Sequence, residues 1–390
     1  MAEKIDLKEF NKAMDMLTKK FGEKTVIANV TEANLTRSIL FDGPLFNYVL
    51  GGKYVTGRIM QLFGPESSGK STISTYIGGQ MQRKIPEQPF VVYLDYERTF
   101  DPLFAQRLKL NIDKDHFKLF QPDTMEDGFE IAETLIKTGL VSLIIFDSEA
   151  AAPTRKQADS EYGQADFGIA ALQMAKGLKK LNIQLAKYNT SMIVISQERD
   201  NQQVGSHAII STGGRALKFF ASTRNRVVKT GTIEKDGETI GIEMKFQNYK
   251  NKTGVMFRMV ENLKLYFDSG FDEDDQYGFF FTKLNIIKQK GAWFYLYENE
   301  DVDAEGNPVE PIFKCSGLAS MNEYLKSHPD ILDKLKQKVL VAISKETKEL
   351  DSHNMAPRET ENDSKEESLA EKEIAALAEE AMNAASGEQQ

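Results

Sequence analysis

The chain has 390 residues, with 49 Lys+Arg against 58 Asp+Glu for a net charge of −9, and its 41% hydrophobic and 27% charged content suits a globular chain of two or three domains. One cysteine, Cys315, excludes an intrachain disulfide framework, and four scattered histidines offer no zinc-ligand spacing. No apolar run approaches the ~18 residues of a bilayer span, MAEKIDLKEF has no apolar leader, and a cytoplasmic location is expected.

Lys8 to Lys20 carries Phe10, Met14 and Leu17 at helical spacing, and Phe21-Gly22 ends that pattern. From Gly51-Gly52 onward, β-rich runs alternate with helical windows. Strands are expected over 58–63, 90–94, 141–146 and 191–196, with helices over 70–84, 125–137 and 167–187. Apolar strands separated by helices predict a parallel sheet covered on both faces. Adjacent strands around 226–229, 242–247 and 256–267 then predict an antiparallel extension. Residues 270–276 read as an acidic loop, 279–290 as helical, 299–311 as a Pro- and acid-containing insertion, and 318–344 as the helical unit of a small C-terminal domain. Beyond Asp351 the Glu/Ala/Ser-rich composition predicts a disordered tail. Residues 358–390 hold ten acidic and three basic residues, so most of the net charge sits in that tail.

Gly64-Pro65-Glu66-Ser67-Ser68-Gly69-Lys70-Ser71-Thr72 satisfies the phosphate-loop pattern, between an expected strand and an expected helix. In that context backbone N–H groups at the helix start cradle phosphates, Lys70 reaches the β/γ-phosphates, and the Ser71 hydroxyl ligates Mg²⁺. Asp147 ends an apolar strand, as a carboxylate holding Mg²⁺ through water does. Glu97 follows another such strand and is placed to align and deprotonate a water. Gln197 closes the strand 191–196 and is placed to report a γ-phosphate to the polar stretch 198–212, which reads as a functional loop. Asp166-Phe167-Gly168 matches a kinase metal-binding tripeptide, but no companion kinase motif accompanies it. Basic residues cluster at Lys176, Lys179, Lys180 and Lys187, at Arg215, Lys218, Arg224, Arg226 and Lys229, at Lys250-Asn251-Lys252, and at Lys334, Lys336 and Lys338. Beside two loops they suggest a phosphate-backbone track.

GPESSGKST (64–72), LDYERTFDP (94–102), QPDT (121–124), LIIFDS (143–148), STGGRALKFFAS (211–222) and YKNK (249–252) together resemble, in order, the RecA-type homologous recombinases. The resemblance runs from about Phe10 to about Val341. It implies an α/β fold: a RecA-like phosphate-loop ATPase core (36–270), with a mostly parallel sheet and an antiparallel extension. A small N-terminal helical segment for protomer packing (1–35), a small α+β C-terminal domain (271–350) and an acidic tail (351–390) complete the implied architecture. The tail would restrain duplex entry.

The implied function is an ATP-dependent recombinase that forms a helical filament on single-stranded DNA, hydrolyses ATP and exchanges strands with duplex DNA. ATP and Mg²⁺ are the implied cofactors. Other copies of the chain, single- and double-stranded DNA, and mediator or single-strand-binding proteins are the implied partners. The resemblance assigns catalysis to Glu97, Lys70 and Gln197, and to Lys250 and Lys252 acting on the neighbour's γ-phosphate. Nucleotide binding falls to residues 64–72 with Asp101 and Phe104 about the adenine, metal binding to Ser71 and Asp147, and polymer contacts to Phe219. DNA binding falls to Phe167, Gly168, Lys179, Arg199, Gly213 and Gly214, in loops of about 154–168 and 198–213. Phe104 stands where the bacterial proteins carry Tyr, and Leu172 where they usually carry Arg; the second loop lacks the family's aromatic. Such drift suits a viral or otherwise divergent member. A ring-forming motor on the same core, or a non-catalytic mediator, are the competing readings; the former lacks segments like YKNK.

Overall fold

The computed structural model describes residues 8–21, 37–160, 168–200, 209–211, 214–254, 256–297 and 309–354. Of the expected tail, 351–390, the first four residues are helical and the rest lie outside the described residues, as do most of the 299–311 insertion, Phe167 and Gly213. Helix α1 (Lys8–Phe21) belongs to a unit that ends at Arg37, and a second unit begins at Ser38. Within α1 the expected amphipathic helix forms, and the Thr18 hydroxyl donates to the Met14 carbonyl.

The second unit starts with β1 (Ser38–Ile39), α2 (Pro44–Val49) and β2 (Tyr54–Val55). Next come β3 (Ile59–Gly64), α3 (Lys70–Lys84), β4 (Phe90–Asp95), α4 (Pro102–Arg107), β5 (Phe117–Phe120), α5 (Met125–Ile136) and β6 (Val141–Asp147). Then follow α6 (Arg155–Asp159), α7 (Ile169–Tyr188), β7 (Ser191–Asp200), β8 (Ile209–Ser211), α8 (Gly214–Phe220), β9 (Thr223–Lys235), β10 (Glu238–Asn251), β11 (Met259–Tyr266) and β12 (Gly270–Phe271). The chain continues through α9 (Glu273–Lys283), β13 (Lys288–Lys290), β14 (Trp293–Leu296), β15 (Phe313–Ser316), α10 (Leu318–Ser327) and α11 (Pro329–Asn354).

The main sheet runs β12-β11-β10-β9-β3-β7-β6-β4-β5. Its pairs from β9 through β5 are parallel, and β9-β10, β10-β11 and β11-β12 are antiparallel. The expected parallel core and antiparallel extension therefore form one sheet. Side-chain alternation along β6 sends Leu143 and Ile145 into the core beneath α3, with Ile73, Ile77 and Met81. It sends Ile144 and Phe146 into the opposite core, with Phe129 of α5 and Leu178 and Leu181 of α7. Both faces being buried explains why these strands read as continuous apolar runs. The core beneath α3 continues through Phe280 and Ile287 to Leu325 and Val339, tying in α9 to α11.

Three loop expectations change. Residues 270–276 are β12 and the start of α9: the Asp272 carboxylate accepts from the Asp275 N–H, and three further acids occupy the first turn, where the helix dipole favours them. Helical character ends at Lys283, and 288–290 is a strand. Residues 198–212 are not wholly irregular, because β7 continues to Asp200 and pairs with β8. Within 154–168, Thr154 and Gln157 form a capping box that starts α6.

Gly64 marks where this fold leaves no room. A Cβ there would lie 2.0 Å from the Val227 carbonyl oxygen of β9, and the backbone φ is +156°. A backbone obstacle cannot rotate away, so Gly64→Ala is expected to destabilise the protein by about 2–3 kcal/mol, measured by denaturant unfolding. A change within about 0.5 kcal/mol would show that β9 is free to give way there.

Candidate active site

The carboxyl ends of β3, β4, β6 and β7 meet at one open cleft of about 460 Å³, the place where parallel sheets receive ligands. Its floor is the loop from β3 to α3. Ser67 (φ +53°) and Gly69 (φ +92°) adopt left-handed conformations, which curl the chain so that successive N–H groups face inward. A Cβ on Gly69 would meet the Met244 sulfur at 2.4 Å, so the loop is also pressed against β10. Glu66, Ser67, Ser68, Gly69, Lys70, Ser71 and Thr72 all line the cleft. Gly64 and Pro65 contribute backbone, because the Lys70 ammonium donates to their carbonyls at 3.1 and 2.5 Å. Burial holds the Lys70 pKa below the usual lysine value, against the opposing pull of Asp147, Glu97, Glu66 and Glu198.

Acidic groups face this loop. Asp147, at the end of β6, is 2% exposed and accepts a hydrogen bond from the Tyr93 hydroxyl through Oδ2 at 2.5 Å. Its Oδ1 is buried without a hydrogen-bond partner, and the Ser71 hydroxyl stands near enough to this carboxylate to favour its charged form. Burial raises the Asp147 pKa above the usual carboxylate value, offset by the Ser71 and Tyr93 hydroxyls. An anionic oxygen with an unused lone pair beside a hydroxyl is a donor set suited to a hard divalent cation.

Glu97 reaches the cleft through a turn built on Asp95, whose carboxylate accepts from the Thr99 and Phe100 N–H groups and from Gln121. The Ser148 hydroxyl donates to Glu97 at 2.5 Å and fixes its carboxylate. Gln197 of β7 lies in register with Gly64 and lines the cleft as well.

Phe104 lines the cleft, but Asp101 does not. The Asp101 carboxylate accepts from the Phe104 N–H at 3.0 Å as the N-cap of α4, so it orients the element that presents Phe104. The cleft also has an apolar wall of Ile242, Leu265 and Phe267, from β10, β11 and the residue after it. Sequence reasoning missed these three, as well as Tyr93 and Ser148. Their relevance follows from strand register, which no local motif encodes.

Lys250 and Lys252 are not part of the cleft lining. Lys250 pairs in register with Arg224, itself opposite Gln61, three residues short of Gly64. Its ammonium donates to the Lys218 and Phe219 carbonyls at 2.7 and 3.3 Å, and that of Lys252 lies 5.6 Å from the Phe219 ring centre.

The expected DNA contacts are only partly described. Gly168 (φ +82°) caps the start of α7, and Gly214 (φ +68°) opens α8, where an added Cβ would lie 3.2 Å from the Ala171 side chain. The ends of the two expected loops therefore meet at the start of α7. Lys179 is exposed on α7, and Arg199 lies on β7 opposite Ile210. Three of the clustered basic residues pair with carboxylates among the described residues: Lys180 with Glu133 at 2.5 Å, Arg226 with Glu198 at 2.7 Å and Lys336 with Asp274 at 2.8 Å.

A strand, a phosphate-type loop and a helix at the edge of a cleft flanked by strand-end acids define a phosphate-loop nucleotide-binding α/β protein. Comparison with known proteins narrows the class. The family described as the RecA N-terminal domain matches residues 8–272. Protein RecA of Listeria welshimeri is 31% identical over 352 residues, covering 90% of this chain and 94% of the relative. Protein RecA of Streptococcus pyogenes is 32% identical over 364 residues (91% of each chain), and that of Lactiplantibacillus plantarum is 31% identical over 347 residues (87% and 86%). The chain belongs to the RecA family. No helix among the described residues is long and apolar enough to cross a membrane.

The raised pKa of Asp147 has a consequence for stability. The native carboxyl holds its proton more tightly than the unfolded one, so stability falls as pH rises from about 4 through the native pKa. Asp147→Asn, which cannot ionise, is expected to raise Tm at pH 7 in chelator-containing buffer and to lose that gain near pH 4. Thermal melts across pH would show a pH-independent difference if burial of this charge were not the cause.

Proposed function

We propose that this protein is an ATP-dependent DNA recombinase that assembles as a helical filament on single-stranded DNA and exchanges strands with homologous duplex. The observation that carries the reading is the convergence of Lys70, Ser71, Glu97, Asp147 and Gln197 on one cleft, in a chain of the RecA family. ATP would seat its phosphates on the loop 64–72, with its base between Phe104 and the apolar wall of Ile242, Leu265 and Phe267. Lys70, now bonded to the loop's own carbonyls, would redirect its ammonium to the β/γ-phosphates. Mg²⁺, held by Ser71 and Asp147, would neutralise phosphate charge when bound. The orphaned Asp147 Oδ1 supports that role.

Glu97 would accept the proton of the attacking water, its carboxylate already oriented by Ser148. Gln197 would sense the γ-phosphate from the head of β7. Lys250 and Lys252, remote from their own cleft, would stabilise charge in a neighbour's cleft, so that turnover requires assembly. Single-stranded DNA would lie along the loops ending at Gly168 and Gly214, with Phe167 and Gly213 inside them and Lys179 and Arg199 beside them. Duplex DNA is the second substrate, with mediator and single-strand-binding proteins as further partners in the cytoplasm. Residues 1–35 would serve protomer packing, and 271–350 would form the C-terminal domain.

Lys70→Ala is expected to abolish ATP hydrolysis and strand exchange. Glu97→Gln is expected to lower kcat by about 10²–10⁴-fold while preserving ATP-dependent filaments on single-stranded DNA, seen by electron microscopy. Three-strand exchange with homologous and heterologous duplexes tests the reading itself: equal reaction with both would refute it.

A further inference from the structure

Gln197 and Glu198 are consecutive on β7 and so face opposite sides of the sheet. Gln197 lines the cleft, whereas Glu198 starts the β7–β8 hairpin, paired with Ser211. The Glu198 side chain is only 8% exposed and is gripped by both arms of the Arg226 guanidinium: Nε to Oε2 at 2.9 Å and Nη2 to Oε1 at 2.7 Å. A two-point Arg–carboxylate fork fixes orientation as well as distance. It also spans two strand spacings, since β3 runs between β7 and β9. The fork therefore crosses the end of β3 where the phosphate loop departs at Gly64.

Tyr249 stands close enough to the Arg226 guanidinium to favour its charged form, after the stronger effect of Glu198. Tyr249 occupies a register shift between Asn248 and Lys250 and packs edge-on to Phe63, with ring centres 5.5 Å apart. A bulge of this kind re-aims a side chain. Below it on the same side, Ser196 accepts from Gln61 at 2.9 Å, and Gln61 accepts from Arg224 at 2.7 Å. The Arg224 guanidinium lies 5.0 Å from the Phe63 ring centre. One continuous polar–aromatic ladder thus joins four strands, from the root of the hairpin to the residue preceding Lys250.

We propose that the Arg226–Glu198 fork, extended by Tyr249, is a positioning device that couples the β7–β8 hairpin to the strand end carrying Lys250 and Lys252. This rests on the functional reading above, in which the hairpin leads into a DNA-binding loop and the two lysines serve the neighbouring cleft. DNA that engages the hairpin would then fix β10 through the fork, and the lysines would be delivered in register. Arg226 is a positioning residue: it lines no part of the cleft.

The test compares wild type, Arg226→Lys and Arg226→Gln in ATPase assays with and without single-stranded DNA, alongside thermal melts. Lysine keeps the charge beside the buried carboxylate but lacks the fork, so Arg226→Lys should keep Tm. Both variants should lose about ten-fold or more of the DNA-stimulated kcat, with KM for ATP within about twofold and the DNA-free rate unchanged. DNA-stimulated turnover at the wild-type level in Arg226→Lys would overturn the coupling and leave the recombinase reading standing. An equal loss of the DNA-free and stimulated rates would also overturn it, by showing a merely structural role. A wild-type protein whose ATPase ignores DNA would overturn both.

Discussion

The Gly64 backbone lies so close to the Val227 carbonyl that no side chain fits between them. Much of the cleft depends on that approach. It locks β3 beside β9 in parallel register, and β9 carries the antiparallel strands β10 and β11 in behind it. Only because of this register do Met244, Ile242 and Leu265, far along the chain, press on the phosphate-type loop and wall the cleft. The loop's left-handed residues then turn its N–H groups inward at the start of α3. One steric constraint thus joins the parallel half of the sheet, which carries the charged groups, to the antiparallel half, which carries the apolar wall.

The charged groups are arranged at the expense of stability. Asp147 is nearly sealed from water with one oxygen unpartnered, and Glu97 lies close enough to raise its pKa further. Lys70 is desolvated and satisfied by backbone carbonyls rather than by a carboxylate. A fold selected for stability alone would pair or neutralise such groups. In the proposed reading they are held apart because a phosphate and a divalent cation complete the charge balance, and the hydroxyls of Tyr93 and Ser148 keep the carboxylates aimed meanwhile.

Where a residue's role depends on its neighbours in sequence, the chain was easy to read. Helix α3 begins at Lys70 and ends at Lys84 as expected, because the loop motif and the helical window specify it locally. The apolar runs ending at Asp95 and Asp147 are strands buried on both faces. Acidic residues 270–276 were misread because composition suggested solvent, whereas Asp272 is an N-cap and its acidic successors suit a helix start. The Ile242–Leu265–Phe267 wall and the Arg226–Glu198 fork were invisible because each depends on which strands lie side by side. Arg226 reads in the sequence as part of a nucleic-acid track, and its fork on the buried Glu198 carboxylate is visible only in the fold. The resemblance places Asp101 beside the adenine; what the fold adds is that its carboxylate caps α4 by accepting from the Phe104 N–H.

The two lysines of the YKNK segment give the account its sharpest consequence. They lie back along the sheet from their own phosphate-type loop, with Lys250 anchored on the carbonyls of α8. Each cleft is therefore complete, in the proposed reading, only when a second protomer supplies them. Mixing Glu97→Gln protein with Lys250→Ala/Lys252→Ala protein tests this directly, because each lacks an essential group but a mixed interface can hold one intact set. With random assembly on single-stranded DNA, an equimolar mixture should regain roughly a quarter of the wild-type ATPase rate. A mixture no more active than its two components would contradict shared active sites.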